Sequence, residues 1–214
     1  MNWTTLIPIA IGAYLLGSIP TSVWIGKIFY GVDVRTKGSG NAGTTNTLRV
    51  LGAKAALPVF IIDILKGYFA VSLAALSDFT PDTPAYLYLK MALCLLAVVG
   101  HMYPIFAGFR GGKGVATLVG AMFAFSVGGI LLALLTFTII VAATHYVSVG
   151  SMVGGLLMPF YAALCGDSDW RLICFLAFIS LLLFYTHRTN IGRLLHGTEN
   201  KTYLFGRSKQ DKSK

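Results

Sequence analysis

The sequence predicts an all-α fold, a polytopic integral membrane helical bundle of seven transmembrane spans, with the N-terminus outside and the C-terminus cytoplasmic. Three observations carry that expectation. The 214 residues are 56% hydrophobic and only 12% charged, with a mean hydropathy of +0.73, a balance that excludes an ordinary soluble domain. Several apolar runs approach the roughly 20 residues that cross a hydrocarbon core. The basic residues collect in a few polar segments between those runs.

In chain order, the first run covers 6–28. It is too long for a cleavable signal, and a polar glycine-rich loop follows it in place of a small-residue cleavage site, so it is expected to stay. Runs at 55–76 and 85–105 follow. The apolar stretch 115–146 is long for one helix and is interrupted by "SVGG" at 126–129, which reads as two short spans. One more span is expected at about 149–165, and a last one at 172–185, which must borrow neighbours such as Trp170 and Thr186. A single membrane domain is expected through residue 200, with a basic cytoplasmic tail at 201–214 that is either solvated or laid along anionic headgroups.

Charge sets the orientation. Lys27, Arg35, Lys37, Arg49 and Lys54 surround the first polar loop, Arg110 and Lys113 lie in the second, and seven more Lys or Arg run from Arg188 to the end. With seven spans, these fourteen of the seventeen basic residues share one face, while Asp78, Asp82, Asp167 and Asp169 take the other. The positive-inside rule makes the basic face cytoplasmic.

Within the spans, Gly12, Gly17, Pro20, Gly150, Gly154 and Gly155 read as close-packing positions. Asp63 and Lys66 are costly there and stand three apart on one helix, so they are either an intrahelical pair or a support for a site from beneath. Lys90, near the outer end of its span, is expected to snorkel. Cys94, Cys165 and Cys174 read as small packing residues.

The chemistry lies in three polar regions. The first, "GVDVRTKGSGNAGTTNTLR" (31–49), contains a literal G-x-G-x-x-G at 38–43, yet no βαβ unit fits between two spans, so a dinucleotide fold is excluded. Its small residues can turn backbone N–H groups inward as an anion nest, with Ser39, Asn41, Thr45, Asn46 and Arg49 as further donors. The second, "GFRGGKGVAT" (108–117), departs from a nucleotide P-loop because Ala107 stands at the outer glycine position and Gly114 follows Lys113. Gly111, Gly112 and Gly114 allow close backbone approach, Lys113 supplies a point charge, and a helix beginning at Val115 would aim its N-terminus at the same place. His101 reads equally as a structural or a catalytic histidine. The third, "THRTNIGRLLHGTENK" (186–201), offers His187 and Asn190, with Ser148 or Ser151 at the same level on the preceding inward span. Cations and amide donors in three loops suit a phosphate-bearing ligand. With only Asp33 and Glu199 close in sequence, a metal site is not expected.

The segments "YLLGSIPTSVWIGK", "GVDVRTKGSGNAGTTNTLR", "GHMYPIFAGFRGGKGVAT" and "HRTNIGRLLHGTE", in that order, resemble the bacterial acyl-phosphate:glycerol-3-phosphate acyltransferases. Thr44 stands where that family commonly has Ala, and Thr189 where it commonly has Glu. The resemblance implies a seven-span inner-membrane enzyme of phospholipid synthesis with a cytoplasmic site. Such an enzyme would pass a fatty acyl group from acyl phosphate to the 1-hydroxyl of glycerol 3-phosphate, giving lysophosphatidic acid and inorganic phosphate. It implies Ser39, Arg49, Lys113 and His187 as catalytic residues, and Asn41, Thr45, Asn46, Gly111, Gly112, Gly114, Ser148 and Asn190 as substrate-binding ones. No cofactor, metal, nucleic acid or obligate protein partner is implied; the partners are the two substrates and the lipid bilayer.

The residues agree with that chemistry. Two anionic substrates must be brought together, and the H-x-x-x-x-D pair of acyl-CoA acyltransferases is missing, since Phe106 follows His101 by five and Gly192 follows His187 by five. An acyl phosphate is already activated, so direct transfer is expected, with a donor phosphate oxygen taking the proton; a covalent acyl-Ser39 is the rival. A transporter of phosphate or a phosphorylated metabolite is the alternative function.

Overall fold

The computed structural model describes residues 3–166 and 169–202. Asp167 of the expected outer loop and the tail from 203 onward lie outside the described residues. Among the described residues, every regular element is helical. They group into two compact units divided between Val127 and Gly128.

In the first unit, the run expected as one span at 6–28 is two helices, α1 (Trp3–Gly17) and α2 (Thr21–Tyr30), bent by 45°. The break falls at Ser18–Pro20, because Pro20 has no N–H to donate and pushes Ile19 out of the helical region. The first polar region is more ordered than a loop. Asp33 accepts from the Arg35 amide to start a single 3-10 turn at Val34–Thr36, and α3 (Thr44–Leu51) follows. Gly52, at φ 83°, then turns the chain into α4 (Ala53–Ser72), which a further turn extends to Leu76. Thr83 caps α5 (Pro84–Met102) by accepting from the Tyr86 amide, with Pro84 in the first turn where its missing N–H costs nothing.

The stretch 115–146 does split, but unevenly and slightly earlier than "SVGG". Helix α6 (Val115–Met122) has eight residues, about 12 Å of rise, and the chain breaks at 123–126 before the next helix. Small residues let α6 lie directly on α4. A methyl on Gly67 would overlap the Thr117 carbonyl, and one on Gly120 would overlap the Ile64 carbonyl. The pair α1 and α5 uses the same device, with Gly17 against the Ala97 carbonyl and Gly100 against that of Tyr14. Lipid supplies no hydrophobic drive between helices, so such backbone proximity is what holds them. Lys90, near the outer end of its span, has protein partners. Its ammonium donates to the Ala124 carbonyl and lies 4.8 Å from the Phe125 ring centroid, where it answers the negative end of α6.

The second unit contains α7 (Val127–Thr144, whose first residue closes the first unit), α8 (Val147–Leu164), α9 (Trp170–Thr186) and α10 (Arg188–Leu195), with a 58° bend between the last two. Gly150 and Gly154 admit the α7 backbone at Phe137 and Ala133, and Ser180 of α9 donates to the Gly155 carbonyl at 2.7 Å. These are the close-packing roles expected of the glycines.

Among the described residues, four helices can cross a membrane by length and apolarity, or up to six if each bent pair counts as one. Rows of exposed apolar side chains, such as Ile7, Ile11 and Leu15 on α1 or Leu131, Leu135 and Ile139 on α7, suit a lipid surround.

Gly120→Ala is expected to cost about 1–3 kcal/mol through overpacking, and the thermal midpoint of the detergent-purified protein should fall. Gly192→Ala, whose added methyl meets nothing within 4 Å, should leave the midpoint unchanged or raised.

Candidate active site

The first polar region is organised by two side chains. Arg35 grips Asp33 through two contacts, Nε to Oδ1 at 3.0 Å and Nη2 to Oδ2 at 2.8 Å, while its Nη1 donates to the Ala107 and Arg110 carbonyls at 2.8 and 3.1 Å. Lys27 adds a second cation 3.3 Å from Asp33. The Arg35 guanidinium, hydrogen-bonded to Asp33, holds that carboxyl far below the usual carboxylate range, and Asp33 raises Arg35 in return. Arg35 thus staples the first polar region to the second. The sequence placed both residues at the mouth of the bundle without revealing that link.

Asn46 is the second organiser. It is 2% exposed, accepts from the Ser39 amide at 2.8 Å and donates to the carbonyls of Val34 and Lys37 at 2.8 and 3.2 Å. Its amide is therefore committed to shaping 34–39, which makes it a builder of the region expected to bind substrate. Gly38, at φ 61°, packs on that same amide, where a methyl would overlap Asn46 Oδ1. By contrast, Ser39 Oγ, the Asn41 amide and Thr45 Oγ1 form no side-chain hydrogen bond among the described residues. Helix α3 sets Thr45 and Arg49 one turn apart on one face.

The glycine loop is used differently from the expected cradle. The Gly111 amide donates to the Met102 carbonyl and the Gly112 amide to the His101 carbonyl, both at 3.1 Å. These N–H groups satisfy the end of α5 and leave none of their hydrogen-bonding capacity for an anion. What Gly111 and Gly112 contribute is the missing side chain: a methyl on Gly111 would strike the His101 carbonyl, and one on Gly112 would stand 2.6 Å from the Ala42 carbonyl and closer still to His101 Nε2. Gly114, at φ 79°, caps α6, so Lys113 lies next to the start of that helix as expected. Backbone and side chain thus bring Asn41, Ala42, Gly112 and His101 together within the first unit.

In the second unit, Glu199 is the centre, and sequence reading missed it. Its carboxylate accepts from Ser148 Oγ at 2.8 Å, Asn190 Nδ2 at 2.6 Å and Arg193 Nε at 2.7 Å. Burial pushes the Glu199 carboxyl up, but the donors from Arg193, Asn190 and Ser148 outweigh it and hold it below its ordinary value. Ser151 bonds its own helix at the Val147 carbonyl, so of the two serines only Ser148 reaches another segment. His187 is 2% exposed at the joint of α9 and α10, with Nδ1 2.8 Å from the Leu183 carbonyl. A carbonyl only accepts, so Nδ1 carries a proton. The signal for Glu199 was the spacing of Asn190, Arg193 and Glu199 around the end of a short helix.

Residues 7–197 match the glycerol-3-phosphate acyltransferase family. The chain belongs to that family. It is 42% identical to the glycerol-3-phosphate acyltransferase of Listeria monocytogenes serotype 4a, covering 92% of this chain and 96% of that one. Identity to the Geobacillus kaustophilus protein of the same name is 46%, over 88% and 92% of the two chains. A crystal structure of PlsY, described as an integral membrane glycerol 3-phosphate acyltransferase in its glycerol 3-phosphate form, superposes with a TM-score of 0.83 at 38% identity, over 92% and 96% of the chains. Its lysophosphatidic acid form gives a TM-score of 0.81 at 37% identity, over 92% and 95%. This chain is an integral membrane glycerol-3-phosphate acyltransferase.

Arg35→Lys keeps the charge but loses the planar fork, and should lower acyltransferase activity about tenfold or more in a product-formation assay. Glu199→Gln should cost about 2 kcal/mol, typical of hydrogen bonds to a charged group. Because the folded carboxyl of Glu199 is depressed, its stabilisation is present above the ordinary value of about 4.3 and is lost as pH falls below it. Thermal midpoints measured from pH 7 down to pH 3 should therefore fall for the wild type below about pH 4, and less so for Glu199→Gln.

Proposed function

We propose that the enzyme takes its acyl group from acyl phosphate and passes it to the 1-hydroxyl of glycerol 3-phosphate at the cytoplasmic face of a bacterial inner membrane. The hydroxyl oxygen attacks the acyl carbonyl carbon, the carbon–oxygen bond to phosphate breaks, and a phosphate oxygen takes the hydroxyl proton. Lysophosphatidic acid and inorganic phosphate leave. Residues 1–200 act as one functional domain. Arg49 and Lys113 neutralise the two phosphates, Ser39, Asn41 and Thr45 donate to their oxygens, and His187, Asn190 and Ser148 serve the same reaction. Gly111, Gly112, Gly114 and Asn46 shape the segments that carry these groups.

The observation that carries this reading is the Arg35 staple. It holds the open donors of 39–45 and the loop bearing Lys113 in one body, so two anions meet fixed donors and do not have to order them.

Seven crossings follow if α6 counts as one. Its start meets α5 at His101 through Thr117, and its end meets α5 at Lys90 through Ala124. Those α5 residues are eleven apart, about 16 Å of rise, which is about half of a hydrocarbon core of about 30 Å. The N-terminus is then outside, and the basic segments, with the tail, are cytoplasmic.

Lys113→Ala should abolish phosphate release from acyl phosphate plus glycerol 3-phosphate while preserving the unfolding midpoint. Activity within a few-fold of wild type would remove Lys113 from its role. A labelled acyl group trapped on Ser39 would overturn direct transfer, and labelling of Arg49→Cys and Lys113→Cys from opposite sides of the membrane would overturn the topology.

A further inference from the structure

A polar cluster outside the residues assigned so far lies within the helices directly beneath the glycine loop. Asp63 and Lys66 are 1% and 4% exposed and 2.8 Å apart. Asp63 also accepts from Thr21 Oγ1 at 3.0 Å, and Lys66 donates to the Ile19 carbonyl at 2.9 Å, one of the groups freed by the break between α1 and α2. An ion pair of this kind adds little to stability over an apolar replacement, because desolvation offsets its attraction. Helix adhesion alone does not account for it.

What the pair touches next is His101, whose Nδ1 lies 3.9 Å from Asp63 Oδ1 and 3.1 Å from Thr117 Oγ1. The ring is 7% exposed, and among the described residues nothing hydrogen-bonds its Nε2. That nitrogen is aimed at the bare α-carbon of Gly112, and the Asn41 side-chain oxygen abuts the same spot, 3.2 Å from where a Gly112 methyl would sit. The His101 carbonyl also receives the Gly112 amide. One residue thus meets the glycine loop through both backbone and ring.

We propose that His101 is a positioning residue for acyl transfer. Its buried ring, held at Nδ1 by Thr117 with the Asp63–Lys66 pair packed beneath it, seats the loop at Gly112 beside Asn41, so that this polar cluster fixes the geometry of the phosphate-binding segments. With Thr117 donating to Nδ1, Nε2 carries the proton and lies against Gly112, next to the Asn41 side chain. This rests on the assignment of 108–114 and Asn41 to substrate phosphate.

The two ends of the ring can be tested separately. Asn at position 101 places an amide near the Nδ1 position and leaves the Nε2 position empty; Gln reaches the Nε2 position. In protein reconstituted into phosphatidylglycerol vesicles, His101→Asn should lower kcat/KM by about 10²-fold, the scale of a displaced binding group, while His101→Gln should retain more than His101→Asn. Thr117→Val should fall in the same direction as His101→Asn and Thr117→Ser should recover, with unfolding midpoints recorded for each. If the histidine variants fail to fold, the Thr117 pair decides. Wild-type kcat/KM in His101→Asn, or in Thr117→Val, overturns the proposal. So does equal loss in His101→Asn and His101→Gln. Equilibrium binding of glycerol 3-phosphate to Lys113→Ala separates the two readings: if its affinity equals that of the wild type, the loop assignment fails, whereas weakened binding there with wild-type kcat/KM in His101→Asn overturns the positioning role alone.

Discussion

The first unit depends on how charged groups are placed inside helices that lipid surrounds. Asp63 and Lys66 sit on α4 where neither meets water, and each has more than one partner. Lys66 satisfies a carbonyl freed by the Pro20 break, and Thr21, just past that break, satisfies Asp63. The bend in the first span and the ion pair in the second therefore share partners: the Ile19 carbonyl takes both the Thr21 amide and the Lys66 ammonium, and Thr21 Oγ1 donates to Asp63, so that no charge is left bare in hydrocarbon.

From that layer the order passes upward through short contacts. Thr117 and His101 join α6 to α5, the last carbonyls of α5 take the amides of Gly111 and Gly112, and Gly112 admits Ala42 and Asn41. Arg35 closes the arrangement from the other side. Each link uses a missing side chain or a completed donor, so little freedom is left in the segments that present Ser39, Asn41 and Lys113. Catalysis by positioning and electrostatic neutralisation needs that rigidity, because a donor fixed in advance does not have to be ordered when the reaction occurs.

The second unit reaches a comparable result with one carboxylate. Glu199 draws α8, α10 and the segment after α10 together at Ser148, Asn190 and Arg193, and the Thr202 amide bonds the His145 carbonyl at the turn between α7 and α8. His187 is pinned by its own helix, with its protonated nitrogen turned inward. The side chains proposed for substrate here are thus held by neighbours the proposed reaction does not consume.

The sequence by itself determined the class, the membrane setting and the polar regions, because hydropathy, charge asymmetry and glycine content are properties of residues taken one at a time or in short runs. The pairing of Asp63 with Lys66 was legible for the same reason, being a matter of helical spacing. Only the tertiary structure decided what each group is free to do. Asn46 and the amides of Gly111 and Gly112 had the right chemistry for an anion, yet their hydrogen bonds close the fold, while Glu199, Arg35 and His101 acquired their roles from partners distant in the chain. A hydrogen-bonding group has a fixed capacity, and which partner fills it depends on distances that local sequence does not encode.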